Sequence, residues 1–100
     1  DAEALRHTDE MLAVEGVDVY FIGPSDLSQS LGYPGHPEAP PVRQAIAAAL
    51  EHIRVAGRIA GSAGGAAALR DYRAQGALYL YTHLTTLLAE GTARFREALV

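Results

Sequence analysis

The chain contains no cysteine, so disulfides and thiolate chemistry are excluded. A reducing cytoplasm suits such a sequence, and a cytoplasmic location is the expectation. No apolar run approaches the length needed to span a bilayer. Basic residues form no stripe, and the formal net charge is −4 with a pI of about 5.4. That balance argues against nucleic acid and anionic membrane as partners. No signal peptide is visible. There is no initiator methionine either, and Asp1 already reads as helix, so the expectation is that the true N-terminus lies upstream.

What remains is a globular composition. Hydrophobic residues make up 49% of the 100 positions, and mean hydropathy is +0.04. Much of that apolar content is alanine, which packs closely but buries little area, so a stand-alone core would be thin.

Helix and strand patterns alternate along the chain. Ala4, Leu5, Thr8, Met11 and Leu12 share one helical face, and Gly16 follows as a stop. Residues 17–22, Val-Asp-Val-Tyr-Phe-Ile, read as a strand covered on both faces, and Gly23-Pro24 ends it. A short helical turn is expected over Ser25 to Leu31, then a loop to Pro37. Pro40-Pro41 opens a long helix with the stripe Val42, Ile46, Ala49, Leu50 and Ile53, closed by Gly57. A short strand over 58–60 runs into the loop Gly61-Ser62-Ala63-Gly64-Gly65. A helix follows over Ala66 to Gln75, then a second buried strand over 77–81. The last helix carries Leu84, Leu87, Leu88, Phe95 and Leu99.

This α-β-α-β-α-β-α order, with short connections, predicts three parallel strands with right-handed crossovers. Three strands cannot close a barrel. The chain therefore reads as the C-terminal portion of a (β/α)8 barrel, a fold that takes about 250 residues, and as one segment of one domain over 1–100. A doubly wound sheet is the rival architecture. There is no repeat and no low-complexity tract.

In either architecture, chemistry sits beyond the C-terminal ends of the strands. Three segments qualify: Gly23 to Leu27, Gly61 to Gly65 and Thr82 to Thr85. In the first, Gly23 permits close approach and Pro24 fixes the bend. The amides of Ser25, Asp26 and Leu27 would then face outward and bind a carboxylate or phosphate. Asp26 offers a hard oxygen suited to Mg²⁺ or Mn²⁺. A metal beside amide donors suits a 2-oxo acid, whose carboxylate and carbonyl can chelate. The plainer alternative is that Ser25 caps a short helix and Asp26 complements its dipole.

The glycine-rich loop at Gly61 to Gly65 resembles a phosphate cradle but lacks a Walker lysine, and a tight βα turn explains it equally. His83 follows a strand and is either a base, a ligand or a cap. His7 and His36 have less to recommend them, and His52 is expected in solvent. Tyr79 and Tyr81 read first as barrel packing, and the helical arginines as surface charge.

The blocks 14–18 (Val-Glu-Gly-Val-Asp), 21–28 (Phe-Ile-Gly-Pro-Ser-Asp-Leu-Ser), 30–34 (Ser-Leu-Gly-Tyr-Pro), 53–57 and Gly76-Ala77 closely resemble the HpcH/HpaI family of metal-dependent pyruvate aldolases. The resemblance covers essentially the whole chain. It implies a (β/α)8 barrel and an aldehyde-lyase that cleaves or forms 4-hydroxy-2-oxo acids through a pyruvate enolate. It assigns Asp26 as a ligand of a divalent ion (Mg²⁺, Mn²⁺ or Co²⁺). It assigns the amides of Ser25 and Asp26 to the pyruvate carboxylate.

The second ligand, a glutamate, would fall immediately before Asp1, with the catalytic histidine and an arginine further upstream. No catalytic residue is therefore assigned here, and the 100-residue piece alone is expected to be inactive. Partners implied are a 2-oxo acid, an aldehyde and further copies of the chain, commonly in a hexamer, with exchange of the last helix among the expectations. Ala63 and the segment Thr82-His83-Leu84-Thr85 depart from the family's usual residues and bear on the aldehyde half. The rival functions are a citrate-lyase-like or decarboxylating relative and a non-catalytic barrel scaffold.

Overall fold

A computed structural model describes Glu3 and residues 6–100. Ala4 and Leu5 of the first helical stripe lie outside the described residues. The described elements are α1 (Thr8–Leu12), β1 (Val19–Ile22), α2 (Pro24–Ser30), α3 (Pro40–Val55), β2 (Ile59–Ala63), α4 (Ala66–Ala74), β3 (Tyr79–Tyr81) and α5 (Leu84–Leu99). The strands form one parallel sheet in the order β1-β2-β3. The register pairs Phe21 with Gly61 and Gly61 with Tyr79.

The long helix forms as its stripe requires. Pro40 and Pro41 occupy the first turn, where a missing N–H costs nothing. Val42, Ile46, Ala49, Leu50 and Ile53 are the buried residues of α3. They meet Tyr20, Ala60, Tyr72 and Ala77 in one core, joined by Leu12 and Leu27. Each fully buried Ile or Leu there contributes about 1.5–3 kcal/mol. Polar ties fix the edges of this core. The Tyr20 hydroxyl donates to the carbonyl of Met11, and the Arg58 guanidinium to those of Val17 and Leu12.

All of this packing lies on one face of the sheet. Tyr20, Ala60 and Ser62 point into the helical layer, whereas Val19, Phe21, Ile59, Tyr79 and Tyr81 lie open on the other face. A doubly wound sheet carries helices on both faces, while a barrel strand carries them only outside. The one-sided layer and the sequential strand order therefore select the barrel. Within this chain only the helical side of residues 17–22 and 77–81, read as strands covered on both faces, is covered. Phe21 is 44% exposed and Tyr79 52%, because only the helical side is covered here.

The strand after α3 is longer than the sequence suggested. It runs through Gly61-Ser62-Ala63, which pair in the ladder and are not a loop. Gly61 is required there: a Cβ would come within 2.9 Å of the Tyr79 carbonyl oxygen. The buried Ser62 hydroxyl donates to the carbonyl of Ile22, so the two strands are also linked by a side chain.

The last helix differs from the others. None of its residues is buried, and Leu84, Leu87, Leu88, Phe95 and Leu99 are all exposed. Among the described residues no helix is long and apolar enough to cross a membrane.

Candidate active site

The site is built where β1 ends. Gly23, in an extended conformation, is the N-cap of α2, and Pro24 takes the first helical position. No side chain caps this helix, so Ser25 is not its cap, contrary to one reading of the sequence. The Leu27 amide is also not free, because it donates to the Gly23 carbonyl at 3.0 Å. Two amides remain, those of Ser25 and Asp26, and neither bonds to another main-chain group among the described residues. Buried Pro24, Leu27 and Ser28 anchor the turn. The Ser28 hydroxyl donates to the Ser25 carbonyl at 2.7 Å and fixes the bend from behind.

Asp26 is exposed, in the first turn of α2. Its Oδ2 lies 3.5 Å from where a Cβ on Gly23 would sit, so the carboxylate folds back over the glycine. Asp26 also lines a cavity of about 600 Å³ beside β1, walled by Met11, Val14, Val19 and Phe21. It is the one charged side chain among the described residues that line this cavity. A hard, unpaired carboxylate oxygen beside free amides fits one ligand position of a divalent ion. It does not fit a whole site. Among the described residues, no three His, Asp or Glu side chains converge.

The second strand end does not form a phosphate cradle. Only Gly64 and Gly65 lie between β2 and α4, and the Gly64 amide donates to the Tyr81 carbonyl at 3.2 Å. The start of α4 is already occupied by a carboxylate, with Glu90 Oε1 facing the Ala66 amide at 3.4 Å. A Cβ on Gly65 would meet that same oxygen at 2.7 Å, so the turn is pressed against α5. Glu90 lies 24 residues away in sequence, and nothing local in the sequence signals this contact.

At the third strand end, His83 is the N-cap of α5 through its backbone alone. Its ring binds elsewhere: Nδ1 lies 2.9 Å from the Tyr81 hydroxyl, with ring centroids 4.8 Å apart. Tyr81, read from sequence as packing, is an exposed member of a polar pair. The two-residue spacing at a strand end is the signal that would have revealed it. The Thr82 hydroxyl is buried without a partner among the described residues.

The other histidines pair with nearby acids: His7 with Glu10, His36 with Glu38 and His52 with Asp9. The last contact ties α1 to α3, so His52 is more than a solvated side chain. Away from the site, burial pushes the Tyr72 phenol upward from its usual range.

One-sided helices, sequential parallel strands and working groups at the C-terminal strand ends define part of a (β/α)8 barrel. The chain belongs to the HpcH/HpaI aldolase/citrate lyase family, whose pattern matches residues 1–84. It is 43% identical over 91 residues to 4-hydroxy-2-oxo-heptane-1,7-dioate aldolase of Klebsiella pneumoniae, covering 89% of this chain and 34% of that protein. It is 52% identical over 58 residues to 2-keto-3-deoxy-L-rhamnonate aldolase of Escherichia coli, covering 58% of this chain and 22% of that protein. The crystal structure of an HpcH/HpaI aldolase/citrate lyase family protein from Burkholderia cenocepacia superposes with a TM-score of 0.86 at 31% identity, over 99% of this chain and 39% of that one. The chain thus spans about a third of the length of the Klebsiella relative.

Proposed function

We propose that this chain is part of a metal-dependent carbon–carbon lyase that cleaves or forms 4-hydroxy-2-oxo acids, with pyruvate as the donor half. The observation that carries this reading is the unpaired Asp26 carboxylate, alone on an apolar wall, beside the two free amides of Ser25 and Asp26. The likeness to the two aldolases supports it.

In this reading Asp26 gives one oxygen ligand to Mg²⁺, Mn²⁺ or Co²⁺, and the family's glutamate, preceding Asp1, gives another. The ion, when bound, supplies Lewis acidity toward the carbonyl oxygen of the 2-oxo acid. The amides of Ser25 and Asp26 hold the substrate carboxylate through charge-assisted hydrogen bonds. The apolar wall of Val19 and Phe21 keeps water from that face. The proton transfer falls to the family's upstream histidine. The bare apolar stripe of α5 supports a homo-oligomer, a hexamer by family likeness, in which a second copy covers Leu84, Leu88 and Phe95.

A donor-half assay tests this without an aldehyde. The full-length protein, given pyruvate and Mn²⁺ in D₂O, is expected to exchange the pyruvate methyl protons, and EDTA to stop the exchange. No exchange with Mg²⁺, Mn²⁺ or Co²⁺ would contradict the reading.

A further inference from the structure

We propose that Tyr81 and His83 form a recognition couple for a hydroxyl group on the acceptor aldehyde. This rests on the pyruvate-lyase reading above and adds the chemical class of the second substrate.

The register gives the couple its place. Ile22 pairs with Ser62, and Ala63 with Tyr81, so Tyr81 stands one residue beyond Ile22, at the height of Gly23. Its ring lies on the open face of the sheet, edge-on to Phe21 with centroids 6.0 Å apart. Phe21 and Val19 form a shared wall. On one side they line the cavity that holds Asp26, and on the other a hollow of about 440 Å³ with Tyr79 and Tyr81. Asp26 and Tyr81 therefore line neighbouring hollows that share Val19 and Phe21. The space over Gly61 is filled by Tyr79, while Ala63, the partner of Tyr81 in the ladder, is a small residue beside the couple.

The chemistry of the couple selects the ligand class. A phenol both donates and accepts, and a neutral imidazole does the same through its two nitrogens. With Nδ1 engaged by the phenol at 2.9 Å, the pair presents both functions to a third group. An alcohol, itself both donor and acceptor, complements this pair. Among the described residues that line the two hollows there is no arginine or lysine to hold a carboxylate-ended aldehyde. The acceptor assigned by this geometry is a short aldehyde bearing a hydroxyl near its carbonyl. Tyr81 touches the ligand, while His83 acts as a positioning residue by orienting the phenol.

The test compares glycolaldehyde with acetaldehyde as acceptors for pyruvate, using the full-length protein with Mn²⁺. Wild type is expected to prefer glycolaldehyde in kcat/KM. Tyr81→Phe keeps the ring packing against Phe21 and removes one hydroxyl, and should reduce that preference by about tenfold, through KM for glycolaldehyde. His83→Ala should reduce it in the same direction, and His83→Asn should restore part of it. Methyl-proton exchange of pyruvate alone should continue in Tyr81→Phe. An unchanged preference in Tyr81→Phe overturns the couple's role while leaving the lyase reading intact. So does an equal fall on both aldehydes together with loss of exchange, which marks a general structural defect. Absence of exchange and of turnover in wild type overturns the lyase reading and the couple with it.

Discussion

Replacing Asp26 with alanine in the full-length protein is expected to lower metal-dependent turnover by roughly a hundredfold or more, because the proposed site would lose one of its few anionic ligands. The same change should barely alter folding. Asp26 is exposed and makes no hydrogen bond or ion pair with another described residue, so no core contact depends on it. Its one structural contribution is a negative charge in the first turn of α2, worth about 0.3–1 kcal/mol. Activity and stability are thus expected to separate: kcat/KM collapses while the thermal midpoint shifts only slightly. Unchanged turnover would remove Asp26 from the metal site. A joint loss of turnover and folding would mean that the carboxylate serves the bend and not the ion.

The second large effect concerns the 100-residue chain taken by itself. It is expected to show no turnover of a 4-hydroxy-2-oxo acid and to self-associate in solution. The first expectation follows from the ligand count. Asp26 has no carboxylate or imidazole companions of the number a metal site needs among the described residues, and one carboxylate rarely holds Mg²⁺. The second follows from what is left uncovered. Among the described residues the outer strands β1 and β3 each have a free edge, and the open face presents Val19, Phe21, Ile59 and Tyr79. The α5 helix adds Leu87, Leu88, Phe95 and Leu99, none of them buried. Light scattering should therefore report species larger than a monomer, growing with concentration. A stable monomer at high concentration, or metal-dependent turnover by this chain, would contradict the partial-barrel account.

How far the sequence reveals this molecule varies from element to element. The α3 stripe was fully legible, because helical periodicity and burial share one cause: Val42, Ile46, Ala49, Leu50 and Ile53 repeat at helical spacing and all five are buried. The ends of strands were less so. Glycine suggests a loop, but Gly61 sits in the ladder because Tyr79 comes too close for any side chain. Coverage of the sheet depends on more than these residues. An apolar run such as residues 19–22 shows that both faces can be apolar, but not that both are covered. The bend at Gly23 to Asp26 was legible as a position for chemistry. Its amide count was not, since the Leu27 bond to Gly23 depends on where the helix begins. The Tyr81–His83 pair and the Glu90 contact at Ala66 were missed because both are set by side-chain geometry, in the second case across 24 residues.

The central claim is that the bend after β1 supplies half of a metal and 2-oxo acid site, with Asp26 as its ligand. Mn²⁺ binding to the full-length protein, followed by electron paramagnetic resonance with and without pyruvate, tests this most directly. Asp26→Asn keeps the shape of the side chain and removes its charge. The account predicts that wild type binds Mn²⁺ and that its spectrum changes when pyruvate is added, whereas Asp26→Asn binds the ion far more weakly and shows no pyruvate response. Equal Mn²⁺ affinity in the two proteins, with the same response to pyruvate, would contradict it.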